Sequence, residues 1–464
     1  MLLLALGNTE VIGASCHFAM IEGTGLVLDA GADPEADGPE GMPDFDRIHG
    51  NTAWHVDHAI VTHAHHDHVG ALPVLIQNFP HVLVHMTRAT RNLADFALPA
   101  SARLQRRRRR EGSSPHEPLF KEEELEVYSY LYTTHELEED FDVTGVRGET
   151  PVTARFYDSG HLLGGAGVLL TFEERGFARR VFYTSDTSLR PQSIIPGGAY
   201  PDAPVDVLIM ESTLGADPDA ELTTRRTEEK RFAEAVARVL ARGGTVLLPV
   251  FAMGRAQEVL ALIDRYKKRG LIPEETPVYT AGSMRAVSDV YDKTRFTTPR
   301  LDPDFQVFAV EQRRLPRSDQ AVAEALGQPS IHIVSSGMMF ERTLSNRLAQ
   351  QLVEDEKNGI FLVGFARHDS PAQRILAAVA EGKGTEAVLY TARGAQPINC
   401  EVDRFRFSGH SHRRDLIQLV EQLQPKTVVL VHGETDARTW MADNIRFFYP
   451  DVEVRLLYDE PIEV

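Results

Sequence analysis

Histidine and aspartate are concentrated in one short segment of this sequence, His63–His68, which reads His-Ala-His-His-Asp-His. The segment directly follows an apolar run that predicts a buried strand. His63 and His65 lie two positions apart, so both imidazoles can reach one metal ion from an extended segment. Asp67 and His68 can reach a second ion beside it. Imidazole and carboxylate ligands suit zinc, with manganese or iron as alternatives, and burying these groups without a metal ion would be costly. We therefore predict a metal centre.

One cluster cannot complete two coordination shells, so further ligands must come from other loops. Candidate side chains stand at the ends of other apolar runs, where an αββα sandwich would gather its site: His161 after Ser159-Gly160, Asp186 after Val181 to Tyr183, and His432 after Val428 to Val431.

The elements that must position these side chains change in character along the chain. Up to about residue 214, short runs rich in β-branched and aromatic residues predict buried strands. From about Thr223, helices and strands alternate, which predicts a mostly parallel, Rossmann-like sheet. Short strands return after about Ala387. Because the outer segments resemble each other more than the middle, we predict one domain formed by residues 1–214 and 391–464, with an inserted domain at 215–390.

Composition limits the kind of protein this is. The 464 residues are 42% hydrophobic and 25% charged, which is typical of globular proteins with more than one core. Cys16 and Cys400 are the whole cysteine content, so a disulfide framework is excluded and a reducing compartment is favoured. We find no signal peptide or membrane span and predict a cytoplasmic protein without a membrane partner. The net charge of −18 does not attract polyanions, so nucleic-acid binding would need a local basic cleft or metal ions.

An arginine run, Arg106 to Arg110, precedes an acidic stretch from Lys121 to Asp140. Such a run can hold phosphates, or it can form a solvated surface helix balanced by nearby glutamates. We favour the surface helix, because charge runs are usually exposed faces.

Taken together, the motifs resemble those of the metallo-β-lactamase superfamily, and within it the β-CASP nucleases. The His-x-His-x-Asp-His segment, Gly160-His161, Asp186 and Leu28-Asp29-Ala30-Gly31 are similar to superfamily motifs. The narrower resemblance is carried by Glu211-Ser212-Thr213, Ser408-Gly409-His410-Ser411 and Val431-His432-Gly433-Glu434, and in the middle of the chain by Leu248 to Glu258 and Ser335 to Met338. The resemblance implies an α/β protein, an αββα metallo-β-lactamase sandwich with an inserted Rossmann-like β-CASP domain.

The resemblance also implies how the site residues divide. One zinc ion would be bound by His63, His65 and His161, the other by Asp67, His68 and His432, with Asp186 bridging them. Asp29 would orient a ligand or loop from behind. Catalytic roles fall to Asp67, to His410 as the proton donor to the leaving oxygen, and to Glu211 as the carboxylate that orients His410.

The inserted segment supplies the candidate substrate-binding residues Arg255, Ser336, Gly337 and Met338. The turn at Ser335 to Met338 ends a predicted strand before a helix, where backbone amides can cradle a phosphate. A purely structural turn is the alternative.

The implied function is a zinc-dependent ribonuclease that hydrolyses phosphodiester bonds of single-stranded RNA with a hydroxide activated by two metal ions. It would hold two zinc ions per chain, with manganese as an alternative, and a homodimer is left open. A DNA nuclease of the same superfamily is the first alternative, although such relatives lack a histidine where this chain has His432. A non-catalytic RNA-processing scaffold is the second, although such proteins lose metal ligands.

Overall fold

The computed structural model describes residues 1–9, 12–218, 222–364, 366, 370–382 and 384–464. The chain divides into two compact units. The first consists of residues 1–191, 197–221 and 410–464, and the second of residues 192–196 and 222–409.

The first unit opens with a run of strands and a few helices. Its strands are β1 (Leu2–Ala5), β2 (His17–Ile21), β3 (Thr24–Leu28), β4 (His58–Ile60), β5 (Leu83–Thr87), β6 (Tyr132–His135), β7 (Asp140–Asp142), β8 (Val152–Asp158), β9 (Ala166–Glu174), β10 (Phe177–Tyr183) and β11 (Val207–Glu211). Its helices are α1 (Asp46–His49), α2 (His66–Val69), α3 (Leu72–Asn78), α4 (Arg88–Arg110) and α5 (Glu122–Tyr128).

The second unit alternates helices with strands. Its helices are α6 (Arg225–Ala241), α7 (Arg255–Lys268), α8 (Met284–Lys293), α9 (Asp319–Leu326), α10 (Leu344–Leu352) and α11 (Pro371–Glu381). Its strands are β12 (Thr245–Pro249), β13 (Val278–Thr280), β14 (Arg313–Arg314), β15 (Ser330–Val334), β16 (Gly359–Leu362), β17 (Glu386–Tyr390), β18 (Gly394–Pro397) and β19 (Glu401–Arg404). The chain then returns to the first unit with α12 (Arg413–Leu423), β20 (Thr427–Val431), α13 (Thr435–Phe448), β21 (Glu453–Leu456) and β22 (Ile462–Glu463).

Two sheets pack face to face in the first unit. One has the strand order β22-β1-β2-β3-β4-β5-β6 and the other the order β21-β20-β11-β10-β9-β8-β7. Alternate side chains of each strand point to opposite faces, so one face of each sheet contributes to the core between them. Leu28 and Ile60 from the first sheet meet Tyr183 and Ile209 from the second in this buried cluster.

Helices cover the two outer faces of the sandwich. Leu72, Leu75 and Ile76 of α3 pack with residues of α4 and α5 against the first sheet. Leu416, Leu419 and Leu423 of α12, which recur at helical spacing, pack with α13 against the second sheet. The result is the predicted αββα arrangement.

The second unit is built on a sheet in the order β14-β13-β15-β12-β16-β19, in which each neighbouring pair is parallel. The N-cap residue of its first helix is Thr224, whose side chain accepts a hydrogen bond from the amide of Thr227. Strand β12, which begins at Thr245, lies in this sheet, whereas β20, which begins at Thr427, lies in the sandwich. The predicted fold class, including the insertion, is therefore confirmed.

Both ends of the second unit lie later in the chain than those of the predicted range 215–390. It begins near residue 222 and ends at residue 409. Its end differs from the prediction because β19 (Glu401–Arg404) pairs with β16 (Gly359–Leu362), while β17 (Glu386–Tyr390) pairs with β18 (Gly394–Pro397). These short strands are similar in composition to those of the sandwich. The pairing of β19 with β16, and the packing of Ala387 and Leu389 of β17 in the core of the second unit, assign them to that unit.

The arginine run forms the last turns of α4. Arg106 lies 3.1 Å from a carboxylate oxygen of Glu122, and Arg109 lies 2.8 Å from one of Glu117. These contacts agree with the surface-helix interpretation. No helix within the described ranges is both long enough and apolar enough to cross a bilayer.

Candidate metal centre

The predicted metal-binding residues lie at the carboxyl ends of strands from both sheets. Parallel pairing aligns β3 with β4 in one sheet, and β10 with β11 and β20 in the other, so these strands end at common edges. The residues follow β4 (His63, His65 and, on α2, Asp67 and His68), β8 (His161), β10 (Asp186) and β20 (His432).

Four of these side chains form a first group. The nearest nitrogen or oxygen atoms of His63, His65, His161 and Asp186 all lie within 4.8 Å of one another. Nε2 of His63 and Nε2 of His161 are each 3.6 Å from Oδ2 of Asp186. Nδ1 of His65 is 3.1 Å from Nε2 of His161.

A second group forms on the other side of the same aspartate. Asp67, His68 and His432 also place ligand atoms within 4.8 Å of one another. Nε2 of His68 and Nε2 of His432 lie 3.4 and 3.3 Å from Oδ1 of Asp186. Oδ2 of Asp67 is 3.9 Å from Nε2 of His432. The two carboxylate oxygens of Asp186 therefore face different groups.

The chemistry of these atoms fits a pair of metal ions. Among the described residues, the buried Nε2 atoms of His63, His68 and His432 and Oδ1 of Asp186 have no hydrogen-bond partner of good geometry. Buried polar atoms are normally paired, so several unpaired acceptors facing one space call for a cation. Two sets of nitrogen and oxygen donors joined by one carboxylate suit a dinuclear site for ions such as zinc.

The pKa shifts of His63 and Asp186 favour the forms that bind metal ions, whereas the shift of His68 runs the other way. Burial opposes the charged form of His68, but Asp186 and then Asp29 outweigh it and raise its pKa well above the usual value. Burial, and then the neighbouring His68, hold the pKa of His63 well below its usual value, which leaves its imidazole neutral. Burial opposes ionisation of Asp186, but His432 and His68 outweigh it and hold the pKa of this carboxyl well below its usual range. Neutral imidazole and ionised carboxylate are the forms that bind metal ions.

Asp29 holds one of the ligands from behind. Nδ1 of His68 donates to Oδ2 of Asp29 at 2.8 Å, which leaves Nε2 of His68 to face the site. The hydroxyl of Tyr183 donates to the same oxygen at 2.8 Å, and the amide of Thr62 donates to Oδ1 at 2.8 Å. Tyr183 and Thr62 were not among the predicted site residues. Their positions at the ends of apolar strands, directly before the metal motifs, were the available signal.

Three residues around the centre adopt left-handed backbone conformations. The φ angles are 61° at Asp29, 50° at Ser185 and 46° at His432. Such conformations cost roughly 1–3 kcal/mol for residues other than glycine and persist where the surrounding structure holds them. Each of these residues is a predicted site residue or a direct neighbour of one.

His410 and Glu211 form a pair beside the first group. Nδ1 of His410 lies 3.0 Å from Oε2 of Glu211, and Oε1 of Glu211 accepts a hydrogen bond from the amide of Thr187 at 2.7 Å. The ring centroids of His410 and His161 are 4.5 Å apart. Burial opposes the charged form of His410, but Glu211 and then Asp186 outweigh it and raise its pKa to about 9.

Not every histidine in these motifs joins the site. Within the part of the chain that the structure describes, His66 and His412 belong to none of the groups of ligand atoms. His412 lies directly before α12, at the N-cap position. Neither residue was predicted to bind metal.

The predicted substrate-binding residues lie in the second unit. Nη1 of Arg255 and Oγ of Ser336 are buried without a hydrogen-bond partner among the described residues. Burial lowers the pKa of Arg255 to about 10. At Gly337 a Cβ atom would lie 3.2 Å from the amide nitrogen of Phe251, so a side chain there would require its neighbours to shift by a few tenths of an ångström. Met338 is buried, and its carbonyl accepts a hydrogen bond from the amide of Ala372.

Three known families match successive parts of the chain. They are described as the metallo-beta-lactamase superfamily over residues 11–207, the Beta-Casp domain over residues 256–375, and the Zn-dependent metallo-hydrolase RNA specificity domain over residues 395–456. Together these segments cover most of the sequence.

Similar proteins are known from several organisms. The chain is 29% identical to "Cleavage and polyadenylation specificity factor 73" of Drosophila melanogaster, over 92% of this chain and 59% of that protein. It is 27% identical to "Endoribonuclease YSH1" of Eremothecium gossypii, over 93% of this chain and 54% of that protein. The chain thus spans little more than half the length of these relatives.

A solved structure shares the fold over the whole chain. The crystal structure of a protein of unknown function from Enterococcus faecalis V583 superimposes with a TM-score of 0.53 at 13% identity and covers 100% of both chains. The family matches, the sandwich with its inserted unit and the predicted motifs all agree. The chain belongs to the β-CASP group of the metallo-β-lactamase superfamily.

Proposed function

We propose that this chain is a zinc-dependent ribonuclease that hydrolyses phosphodiester bonds of single-stranded RNA. The observation that carries the proposal is the position of Asp186, whose two carboxylate oxygens face two separate groups of histidine and aspartate side chains. A pair of divalent ions bound there would activate water for attack and neutralise the charge that develops on the phosphate.

The roles of the individual residues follow from their positions. One ion would be held by His63, His65 and His161, and the other by Asp67, His68 and His432, with Asp186 shared. Asp29 would keep Nδ1 of His68 protonated and its Nε2 free to bind, through the hydrogen bond at 2.8 Å.

His410 is suited to move a proton rather than to bind metal. Its Nδ1 is engaged by Glu211 at 3.0 Å, so Nε2 is the atom from which it would protonate the leaving 3′-oxygen. Glu211 fixes the orientation of the imidazole, and the hydrogen bond from Thr187 fixes Glu211. In this proposal His410 acts as the acid and Glu211 as the carboxylate that positions it.

Residues of the second unit would contact the RNA backbone. Arg255 and Ser336 carry buried polar atoms with no protein partner in the described ranges, and phosphate oxygens would satisfy them. The preference for RNA rests on the family match at residues 395–456, described as an RNA specificity domain, and on relatives named as endoribonucleases.

Incubating the purified protein with end-labelled single-stranded RNA and DNA of equal sequence tests the proposal. We expect metal-dependent cleavage of RNA, abolished by a chelator and restored by zinc or manganese. Faster cleavage of DNA would make the chain a DNA nuclease instead. Cleavage of neither strand, with metal bound, would make it a scaffold.

A further inference from the structure

A polar cavity lies within the second unit, at the carboxyl ends of β13 and β14. Its volume is about 640 Å³, which is in the range of cavities that hold small ligands. Four arginines line it: Arg285, Arg314, Arg317 and Arg347. In open parallel sheets, ligands bind beyond the carboxyl ends of the strands.

The positive charge in this cavity is only partly neutralised. Among the described residues that line it, Asp319 is the one acid, and its carboxylate pairs with Arg347 at 2.9 Å. In the described ranges, no hydrogen bond or ion pair holds the guanidinium groups of Arg314 and Arg317. The chain as a whole carries a net charge of −18. A concave site with unpaired arginines is therefore a local positive region on an acidic protein.

Arg285 is the preorganised member of the group. Its Nη1 donates to Oγ1 of Thr280 at 3.0 Å and to Oε1 of Gln312 at 3.2 Å, which holds the guanidinium in place. Its Nε is buried without a hydrogen-bond partner in the described part of the chain. Burial, and then the charge of Arg314, lower the pKa of Arg285. A bound anion would reduce the repulsion between positive charges that are held together in this way.

Part of the cavity wall is apolar. The guanidinium of Arg285 lies 5.1 Å from the ring centre of Phe308, which is itself 40% exposed. Leu344 also lines the cavity. A site with cations on one side and an aromatic, aliphatic wall on the other matches a nucleotide, whose phosphate is anionic and whose base is planar and apolar on its faces.

The cavity adjoins the turn that carries Ser336. A Cβ atom at Gly282, in the loop after β13, would lie 3.4 Å from Oγ of Ser335. The arginine-lined cavity and the candidate phosphate-binding turn are therefore neighbours within one unit.

From this geometry we propose that the cavity binds a nucleotide, with its phosphate on Arg285, Arg314 and Arg317 and its base against Phe308 and Leu344. The nucleotide is either free or one unit of an RNA strand, and the second case rests on the proposed function.

Binding measurements with two probes separate these sources. The probes are adenosine 5′-monophosphate, and a ten-nucleotide RNA measured in a His410→Ala background that limits cleavage. The test variant is Arg314→Gln with Arg317→Gln, and Arg317→Gln alone serves if the double variant does not fold. The matched control is Arg313→Gln, because Arg313 is the neighbour of Arg314 on β14 and points to the opposite face.

A free-nucleotide site predicts that adenosine monophosphate binds about tenfold more weakly to the test variant and unchanged to the control. A strand-binding site predicts instead that RNA affinity falls about tenfold and that the slope of log affinity against log salt drops by roughly 1.4, for two lost phosphate contacts. Equal binding of both probes to the test variant and the control overturns the proposal.

The outcome is independent of the ribonuclease assay. If the wild-type protein cleaves RNA and the test variant binds both probes normally, only the cavity proposal fails. If the wild-type protein cleaves no RNA but the test variant loses adenosine monophosphate binding, the cavity proposal stands and the ribonuclease proposal fails.

Discussion

Nδ1 of His410 lies 3.0 Å from Oε2 of Glu211, a carboxylate that is completely buried. The other oxygen of Glu211 is occupied by the amide of Thr187 at 2.7 Å. A buried carboxylate that already accepts a backbone hydrogen bond can adopt few orientations, so the imidazole it holds is also fixed. Ligand atoms of His410 and Glu211 also lie within 4.8 Å of one of Asp186, and we propose that this pair transfers a proton rather than binds a metal ion.

The first prediction concerns this pair. His410→Ala should lower the single-turnover rate of RNA cleavage by about 10²–10⁴-fold, the usual contribution of a general acid, with both metal ions retained. Glu211→Gln should lower the rate less, because the imidazole remains but loses its orienting charge. Metal content measured beside the rate makes the distinction.

His412→Ala is the matched control, because it removes a histidine two positions away that joins none of the groups of ligand atoms in the described residues. Its rate should stay close to that of the wild type. Loss of metal in His410→Ala, or a nearly normal rate, would show that His410 is not the acid.

The second prediction concerns metal content. Elemental analysis of protein purified without added metal should find about two transition-metal ions per chain, the number that this type of site holds. His432→Ala should lose the ion of the second group together with activity. Asp186→Asn should weaken the binding of both metal ions, because each oxygen of Asp186 faces a different group. Full activity in a metal-free preparation would contradict the dinuclear site.

The third prediction concerns Asp29, which accepts a hydrogen bond from the predicted metal ligand His68. Asp29→Asn replaces the acceptor of the hydrogen bonds from His68 and Tyr183, so Nδ1 of His68 loses a charged partner. Metal affinity should fall about 10–100-fold, as is usual for such partners of ligands. Tyr183→Phe removes one of these bonds and should have a smaller effect in the same direction. Competition with a coloured chelator measures both, and equal affinities in Asp29→Asn and the wild type would exclude the supporting role.

The fourth prediction concerns acid stability of the second unit. His332 is fully buried in β15, and burial lowers its pKa from 6.5 to about 4. As pH falls below 6.5, the unfolded chain takes up a proton at this residue before the folded chain does. The stability that comes from keeping His332 neutral is therefore fully present above pH 6.5. It is lost progressively towards pH 4, and the free energy of unfolding is lower by about 2 kcal/mol at pH 5.

His332→Gln should accordingly lose less stability between pH 7 and pH 5 than the wild type, by about 2 kcal/mol in urea unfolding. His81→Gln, at an exposed histidine, is the control and should follow the wild type. The same pH dependence in His332→Gln and the wild type would refute the assignment.

The fifth prediction concerns Arg255. Arg255→Gln should raise the KM for RNA about tenfold with little change in kcat, because the charged group would bind phosphate away from the reacting atoms. Arg269→Gln, at the exposed other end of α7, should leave KM unchanged. A fall in kcat with KM unchanged would place Arg255 in the chemical step instead.

The sequence alone was sufficient to predict the fold class and the metal motif. Buried strands and amphipathic helices are encoded locally by the spacing of apolar residues, so the sandwich and the alternating helices and strands could be predicted. The end of the inserted unit could not. Strand β19 joins the second unit through pairing with β16, and composition does not report which of two sheets a short strand will pair with.

Residue types, which the sequence carries, determined the candidate chemistry: imidazoles and carboxylates after apolar strands indicate metal ligands wherever they meet. Tertiary structure decided how they meet. In the folded chain the two oxygens of Asp186 face different groups, and His410 contacts Glu211, which is 199 positions away in the sequence. Three arginines, Arg285, Arg314 and Arg317, lie together at one edge of a parallel sheet. The physical reason is that these contacts depend on strand order and on the crossovers between strands, which are set by the packing of the whole core.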